Sequence, residues 1–381
     1  MLHFTPEEFD ARLAKLRAEM DRRGLDAMLL FAPESQFWAT GYDTFGYCFF
    51  QCLVVDQGSP ALLTRSADLR QAEITSTITD IRVWKDAARV DPTADLKALL
   101  AERGLEGKRI GYEEDTHGLT ARNGRLLAAR MDGFADLIDA SDLISGLRLI
   151  KSPAEIEYCR KAGEIGDACY LKALEVTGPG ADEAAILAAM QGEVFAQGGD
   201  YPANEFIIGS GEHALLCRYY SGRRRLDAED QLTLEWAGAW RHYHAALMRT
   251  VVIGAPKPAH IAMHAAAQDA LLACEAALKP GRAMGEVFAA HAATLDKAGF
   301  GHARLNACGY SLGARFSPSW MEAQMFYEGA ETEMSPGMVF FLHMILMDSE
   351  SGAAMTLGRT SLVTDTGSEP LSALSLELPI R

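Results

Sequence analysis

The densest grouping of chemically capable side chains lies between Leu232 and Val252, where Glu235, His242 and His244 stand among Trp236, Trp240 and Tyr243. Two β-prone runs flank a Gly-containing turn, so the stretch predicts a β-hairpin carrying one carboxylate and two imidazoles. A carboxylate desolvated by tryptophans can activate water as a general base or attack an electrophilic carbon itself, given a partner to manage the proton. Taken alone, a strand glutamate alternating with Leu232 and Leu234 is more often solvent-facing.

Other residues could complete such a site. His343 interrupts an apolar run from Met338 to Met347, and a buried imidazole there requires a hydrogen-bond partner, which makes it the preferred proton-handling companion of Glu235. His244 shares a strand face with His242 and Met248, although a lone strand histidine is usually a satisfied structural residue. Tyr310, in a Gly-containing loop, could donate to a developing oxyanion or simply pack. Arg218 and Arg359 could each clamp a substrate carboxylate through two parallel hydrogen bonds, the bland alternative being a surface arginine. Trp320 and Tyr47 could form an aromatic wall for a delocalised cation such as an amidinium. Tyr47 belongs to the aromatic stretch Phe45 to Phe50, whose plain reading is core packing.

These residues must be held by elements that the pattern also predicts. Thr5 with Glu8 reads as an N-cap pair, and Phe9, Leu13, Leu16 and Met20 recur at helical spacing until Gly24. Strand candidates at 27–31, 51–55, 61–64, 81–84 and 109–112 alternate with helical patterns at 94–101 and 119–131, which predicts an α/β domain over 1–147. Ser152, Pro153 and Glu155 form a capping box that opens a long helix, and Asp182 caps a second one running to about Gln197. Helices at 258–278 and 284–298 then precede strands at 338–347 and 354–363. The fold class is therefore α+β, with a second domain over 148–381.

Composition narrows the function. The 381 residues are 49% hydrophobic with a formal net charge of −16, and the densest basic run is Arg223-Arg224-Arg225. Nucleic acid is not an expected partner, because phosphate binding needs a clustered basic face. No window reaches the ~18 apolar residues of a membrane span, and no leader pattern opens the chain, so neither a membrane nor export is expected and a cytoplasmic location is. Seven cysteines form no Cys-x-x-Cys pair, which argues against a disulfide framework and a cysteine zinc site.

Four landmarks carry a family likeness: Arg148 to Glu155, the hairpin ending in Met248-Arg249-Thr250, Lys279-Pro280-Gly281, and Ser335-Pro336-Gly337-Met338 before a strand. In that order they resemble the creatinase/prolidase/methionine-aminopeptidase superfamily and its pita-bread fold, over nearly the whole chain. The metal-dependent members hold two ions with two aspartates, a histidine and two glutamates. Matched by motif, those positions fall on Glu235, Met248, Tyr310, His343 and near Leu357. Only Glu235 and His343 could ligate, so the resemblance turns to the metal-free branch, creatinase and the ectoine hydrolases. Gly198 to Pro202, Glu235-x-Ala-Gly with Arg241-x-Tyr-His244, and Gly309-Tyr310 with Pro318-x-Trp320 are similar to ectoine hydrolase segments. The superfamily's substrate-side histidine falls on Arg218, and Arg359 stands two residues beyond the missing last glutamate.

The resemblance implies Glu235 as catalytic carboxylate, no metal and no other cofactor, a small zwitterionic substrate cleaved at a C–N bond, and a homodimer. A creatinase-like amidinohydrolase, a metal-dependent Xaa-Pro dipeptidase-like enzyme and a catalytically silent binding protein are the alternatives.

Overall fold

The computed structural model describes residues 2–219 and 222–381, and the chain divides into two compact units, Met1–Arg148 and Leu149–Arg381. The first contains helices α1 (Pro6–Arg23), α2 (Pro33–Thr40), α3 (Leu69–Thr75), α4 (Pro92–Glu102), α5 (Ala121–Met131) and α6 (Ser141–Leu149). Its strands are β1 (Ala27–Leu30), β2 (Cys52–Val55), β3 (Ala61–Arg65), β4 (Asp80–Trp84), β5 (Arg109–Tyr112) and β6 (Asp136–Asp139). They form one sheet in the order β4-β3-β2-β1-β5-β6, parallel except where β2 meets β1 and β3.

Period-two burial explains the layering. Ala27 and Leu29 point into one core with Val54 and Leu63, whereas Met28 and Leu30 enter a second core with Leu53 and Leu62. Both faces of the sheet are therefore covered. Thr5 caps α1 without a side-chain hydrogen bond, and Gly24 ends it in the left-handed conformation (φ 65°).

The second unit opens with α7 (Pro153–Val176), whose predicted capping box is present: the Glu155 amide donates to Ser152 Oγ at 3.3 Å and the Ser152 amide to Glu155 Oε2 at 2.8 Å. It continues with α8 (Glu183–Ala196), α9 (Pro258–Ala277) and α10 (Met284–Lys297). Its strands are β7 (Ile207–Ser210), β8 (Asp230–Trp240), β9 (Tyr243–Ile253), β10 (Ala307–Ser311), β11 (Met325–Tyr327), β12 (Val339–Asp348), β13 (Ala353–Val363) and β14 (Ser368–Pro370). The sheet runs β11-β10-β12-β13-β9-β8-β7, with β14 paired to β13. All of these pairings are antiparallel.

One face of this sheet carries helices. Leu342, Met344, Met355 and Leu357 join α9 and α10 in a core that also holds Met263, Leu271 and Val287. At β8, Trp236 stacks on Tyr170 of α7 with ring centroids 5.2 Å apart and donates its indole N–H to the Gly166 carbonyl at 2.8 Å. A side chain at Gly238 would place its Cβ 1.9 Å from the Ala162 carbonyl oxygen, so only glycine allows α7 this close.

Gly238 therefore lies inside β8 and is not the hairpin turn expected from the sequence. The turn is Arg241-His242, both left-handed (φ 50° and 66°), in a two-residue connection between Trp240 and Tyr243. Tertiary contacts hold these non-glycine residues there. The His242 amide donates to Asp200 Oδ2 at 3.0 Å, the His242 ring stacks 4.1 Å from Phe316, and the Arg241 guanidinium lies 4.9 Å from the Tyr158 ring centroid. Among the described residues no helix is long and apolar enough to cross a membrane.

Candidate active site

The hairpin register places Glu235 on the sheet face that α9 and α10 do not cover. Glu235 pairs with Met248 across β8 and β9, Met248 with Gly358 across β9 and β13, and Gly358 with His343 across β13 and β12. Directly opposed residues share a face, so these four form one row. Two residues before His343, Phe341 occupies the same face and pairs with Tyr310 of β10.

Glu235 is the buried carboxylate of this face. It is 8% exposed, and burial pushes its carboxyl up to about 7 against the opposing pull of the Arg218 charge and the Tyr310 hydroxyl. Tyr310 Oη lies 3.4 Å from Glu235 Oε1, and the indole Nε1–H of Trp320 donates to Tyr310 Oη at 2.9 Å. Burial and the neighbouring carboxylate hold the Tyr310 phenol well above its ordinary range, so it stays a protonated donor. Arg218 is exposed, and its charge acts on Glu235, Tyr310 and His343 alike. A cation thus overlooks all three groups.

His343 is buried, its ring 5.7 Å from that of Tyr310, and burial lowers it to about 3. It is a neutral imidazole at physiological pH, and its buried Nδ1 makes no hydrogen bond. The proton-handling companion expected for Glu235 is not in direct contact with it. Two strands separate them, no hydrogen bond joins them, and Tyr310 contacts both. His343 can exchange protons with a bound molecule, but at neutral pH it offers no imidazolium.

Three further expectations change. His244 is fully buried, and its Nε2 accepts the Ala203 amide at 3.0 Å, so its acceptor is spent on holding the 200–204 segment behind Trp320. Burial lowers its pKa to about 3, which keeps it neutral. Arg359 projects to the helix-covered face and forms a two-point pair with Glu275 of α9, both contacts at 2.8 Å, with Ser361 Oγ on the same carboxylate at 3.0 Å. A guanidinium so engaged is no substrate clamp. Trp320 is 1% exposed and acts on Tyr310 rather than forming an open wall. Tyr47 lies in the other unit, in the short turn Gly46–Cys48, edge-on to Phe45 at 6.1 Å.

The sequence reading missed Phe341 and Gly358. Phe341 packs edge-on against Tyr310 at 5.4 Å and lies 5.4 Å from the His343 ring. The period-two pattern of β12 already placed it beside His343 and could have revealed it. Gly358, not Leu357, is the β13 residue in the row, since Leu357 enters the helix-side core. A Cβ at Gly358 would lie 2.9 Å from Phe341 Cε2 and 2.7 Å from the Leu342 carbonyl oxygen.

This donor set does not fit a pair of hard divalent ions. Met248 offers a thioether, Gly358 nothing, and the Phe341 ring fills the space where a β13 carboxylate would stand. Among the described residues no group of three or more His, Cys, Asp or Glu could hold a metal ion.

Two domains of this kind, the second built on an antiparallel sheet with helices on one face, mark a known family of proteins. The chain belongs to metallopeptidase family M24, matched over residues 157–365, preceded by a creatinase/prolidase N-terminal domain over residues 12–150. It is 30% identical to the ectoine hydrolase of Halomonas elongata, over 100% of this chain and 99% of that one. It is 22% identical to the Xaa-Pro dipeptidase of Pyrococcus furiosus, over 96% and 99%. Among solved structures, the Thermococcus sibiricus prolidase superposes with a TM-score of 0.88 at 19% identity, covering 98% of this chain and 99% of that one. The Bacillus anthracis Xaa-Pro dipeptidase gives 0.84 at 21%, covering 98% and 100%. The two-domain pita-bread fold is thereby shown.

Proposed function

We propose that this chain is a metal-independent hydrolase of the ectoine hydrolase type, cleaving a C–N bond in a small zwitterion that carries an amidine or cyclic amide group. The observation that carries this reading is the buried Glu235, held by Tyr310 in a row where Met248 and Gly358 bring no donor for a hard cation. The full-length similarity to an ectoine hydrolase supports it.

Glu235 as carboxylate draws a proton from water as the water oxygen bonds to the amidine carbon, or attacks that carbon itself. In either case the C=N electron pair moves to nitrogen, and the C–N bond then breaks with protonation of the leaving nitrogen. In the second case water hydrolyses the acyl-enzyme. Tyr310 donates to the negative charge that this step creates or relocates. Arg218, exposed at the site, binds the substrate carboxylate. The aromatic rings of this face, Phe341 and Tyr310, stabilise the cationic part by contact with it. His343, neutral at rest, accepts a proton from the attacking water or the substrate and returns it from the transient imidazolium to the leaving nitrogen. A homodimer in the cytoplasm, with Tyr47 serving substrate binding, completes the reading by resemblance.

The test is turnover of ectoine, hydroxyectoine, creatine and prolyl dipeptides, each with and without chelator. Ring opening of an ectoine that persists in chelator is the expected result. Preference for creatine selects the amidinohydrolase alternative. Dipeptide cleavage restored by manganese overturns the proposal, and silence on every substrate leaves the binding-protein alternative standing in its place.

A further inference from the structure

We propose that Trp320 is a positioning residue that fixes the Tyr310 hydroxyl as a one-way hydrogen-bond donor toward Glu235. An indole N–H can only donate. Its nitrogen lies 2.9 Å from the Tyr310 oxygen, so that oxygen is committed as acceptor on the Trp320 side. The hydroxyl proton must leave in another direction, where Glu235 Oε1 stands at 3.4 Å. Without the indole, the hydroxyl could rotate and accept from a substrate N–H or from protonated Glu235. With it, both bonds run the same way, and each polarises the next.

Trp320 is itself locked. Its backbone amide donates to Asn204 Oδ1 at 3.1 Å, and its ring packs against Phe206 at 6.5 Å and His244 at 6.3 Å. The His244 Nε2 in turn holds the Ala203 amide, so the 200–204 segment, Trp320, Tyr310 and Glu235 form one connected series. Among the described residues, Tyr310 of β10, and Cys217 and Arg218 from the segment before β8, are the titratable or charged groups that interact with Glu235. Among them Tyr310 is the one hydrogen-bond donor to the carboxylate. Its direction therefore decides whether that carboxylate, or an anion formed beside it, meets a donor or an acceptor.

The functional meaning rests on Glu235 being the reacting carboxylate, but the hydrogen bonds can be read without turnover. The protein has five tryptophans, hence five indole N–H signals in a ¹⁵N-tryptophan-labelled sample. Tyr310→Phe, which removes the acceptor, should move one indole signal upfield, and Glu235→Gln should move the same signal by a smaller amount. If Tyr310→Phe leaves all five in place, the proposal is overturned, whatever the enzyme hydrolyses. On a turned-over substrate, Trp320→Phe should lower kcat about tenfold, the scale of one lost hydrogen bond, with KM within about twofold. In a Tyr310→Phe background the same change should have no further effect on kcat. Independent, multiplying losses would mean that Trp320 acts only as packing and would also overturn it. A moved indole signal in a protein that opens no ectoine ring would instead remove the function and leave the positioning intact.

Discussion

Tyr310 and Glu235 are separated by three intervening strands of one sheet, yet the phenol oxygen lies 3.4 Å from the carboxylate. A flat sheet would put β10 and β8 roughly 19 Å apart at ~4.8 Å per strand. The sheet must therefore curl, so that β10 reaches back across the uncovered face toward β8. This curl makes Tyr310 the immediate partner of Glu235, to which it hydrogen-bonds where His343 does not.

The ionisation of Glu235 should set the acid side of activity. A carboxyl raised to about 7 is largely protonated at pH 6, so kcat/KM should rise about tenfold per pH unit below 7 and level off above it. Both Tyr310 and Arg218 favour the ionised form, so Tyr310→Phe and Arg218→Ala should each move this limb to higher pH. Arg218→Ala should also raise KM at least tenfold for a carboxylate-bearing substrate. A limb that stays fixed in both variants would remove Glu235 as its source.

The same carboxylate should weaken the fold at alkaline pH. Its folded pKa lies above the ordinary value of 4.5, so its favourable contribution is complete below pH 4.5 and is lost as pH rises through about 7. Glu235→Gln, which cannot ionise, should thus gain stability relative to wild type by something on the order of 3 kcal/mol between pH 4 and pH 8, while hydrolysis is abolished. Thermal unfolding of both proteins across that range measures it. A constant difference between them would contradict the buried carboxylate.

How much of this was legible in the sequence differs from residue to residue. The capping box at Ser152 and the period of β12 and β13 were readable because they are local. The Arg241-His242 turn was not, because left-handed conformations at those residues depend on Asp200, Tyr158 and Phe316, remote in sequence. Glu235, Tyr310 and His343 could be named as candidates from type and motif. Which of them touch depends on the curl of the sheet, which no strand encodes alone. Arg359 was misread for a related reason: its neighbour Gly358 faces the site, and a one-residue step along a strand changes the face.

Arg359 supplies a stability prediction that separates scaffold from site. Its pair with Glu275 is largely buried, at 12% and 9% side-chain exposure. Arg359→Met would strand the Glu275 carboxylate against α9 and should destabilise the protein by about 3–5 kcal/mol. In folded protein at low temperature, KM should remain within about twofold. A tenfold rise in KM with unchanged stability would restore Arg359 as a substrate clamp.

Chelation and ligand restoration test the claim about metal from opposite directions. Wild-type turnover should be unchanged after exhaustive chelation, because Met248 and Gly358 bring no hard donor to the row. The converse change should also fail. In Met248→Asp/Gly358→Glu, the new β13 side chain would start 2.9 Å from Phe341 Cε2 and 2.7 Å from the Leu342 carbonyl oxygen, so it can enter only by displacing that ring or the strand. Such overpacking should cost about 1–3 kcal/mol and yield no manganese-dependent dipeptidase. Trimming the ring as well, with Phe341→Ala, opens the space that the new β13 carboxylate needs. Calorimetric manganese binding should therefore be absent from the double variant and emerge, if anywhere, in the triple. Tight binding in the double variant would show that ligand identity alone, and not the aromatic filling of the row, has removed the metal site.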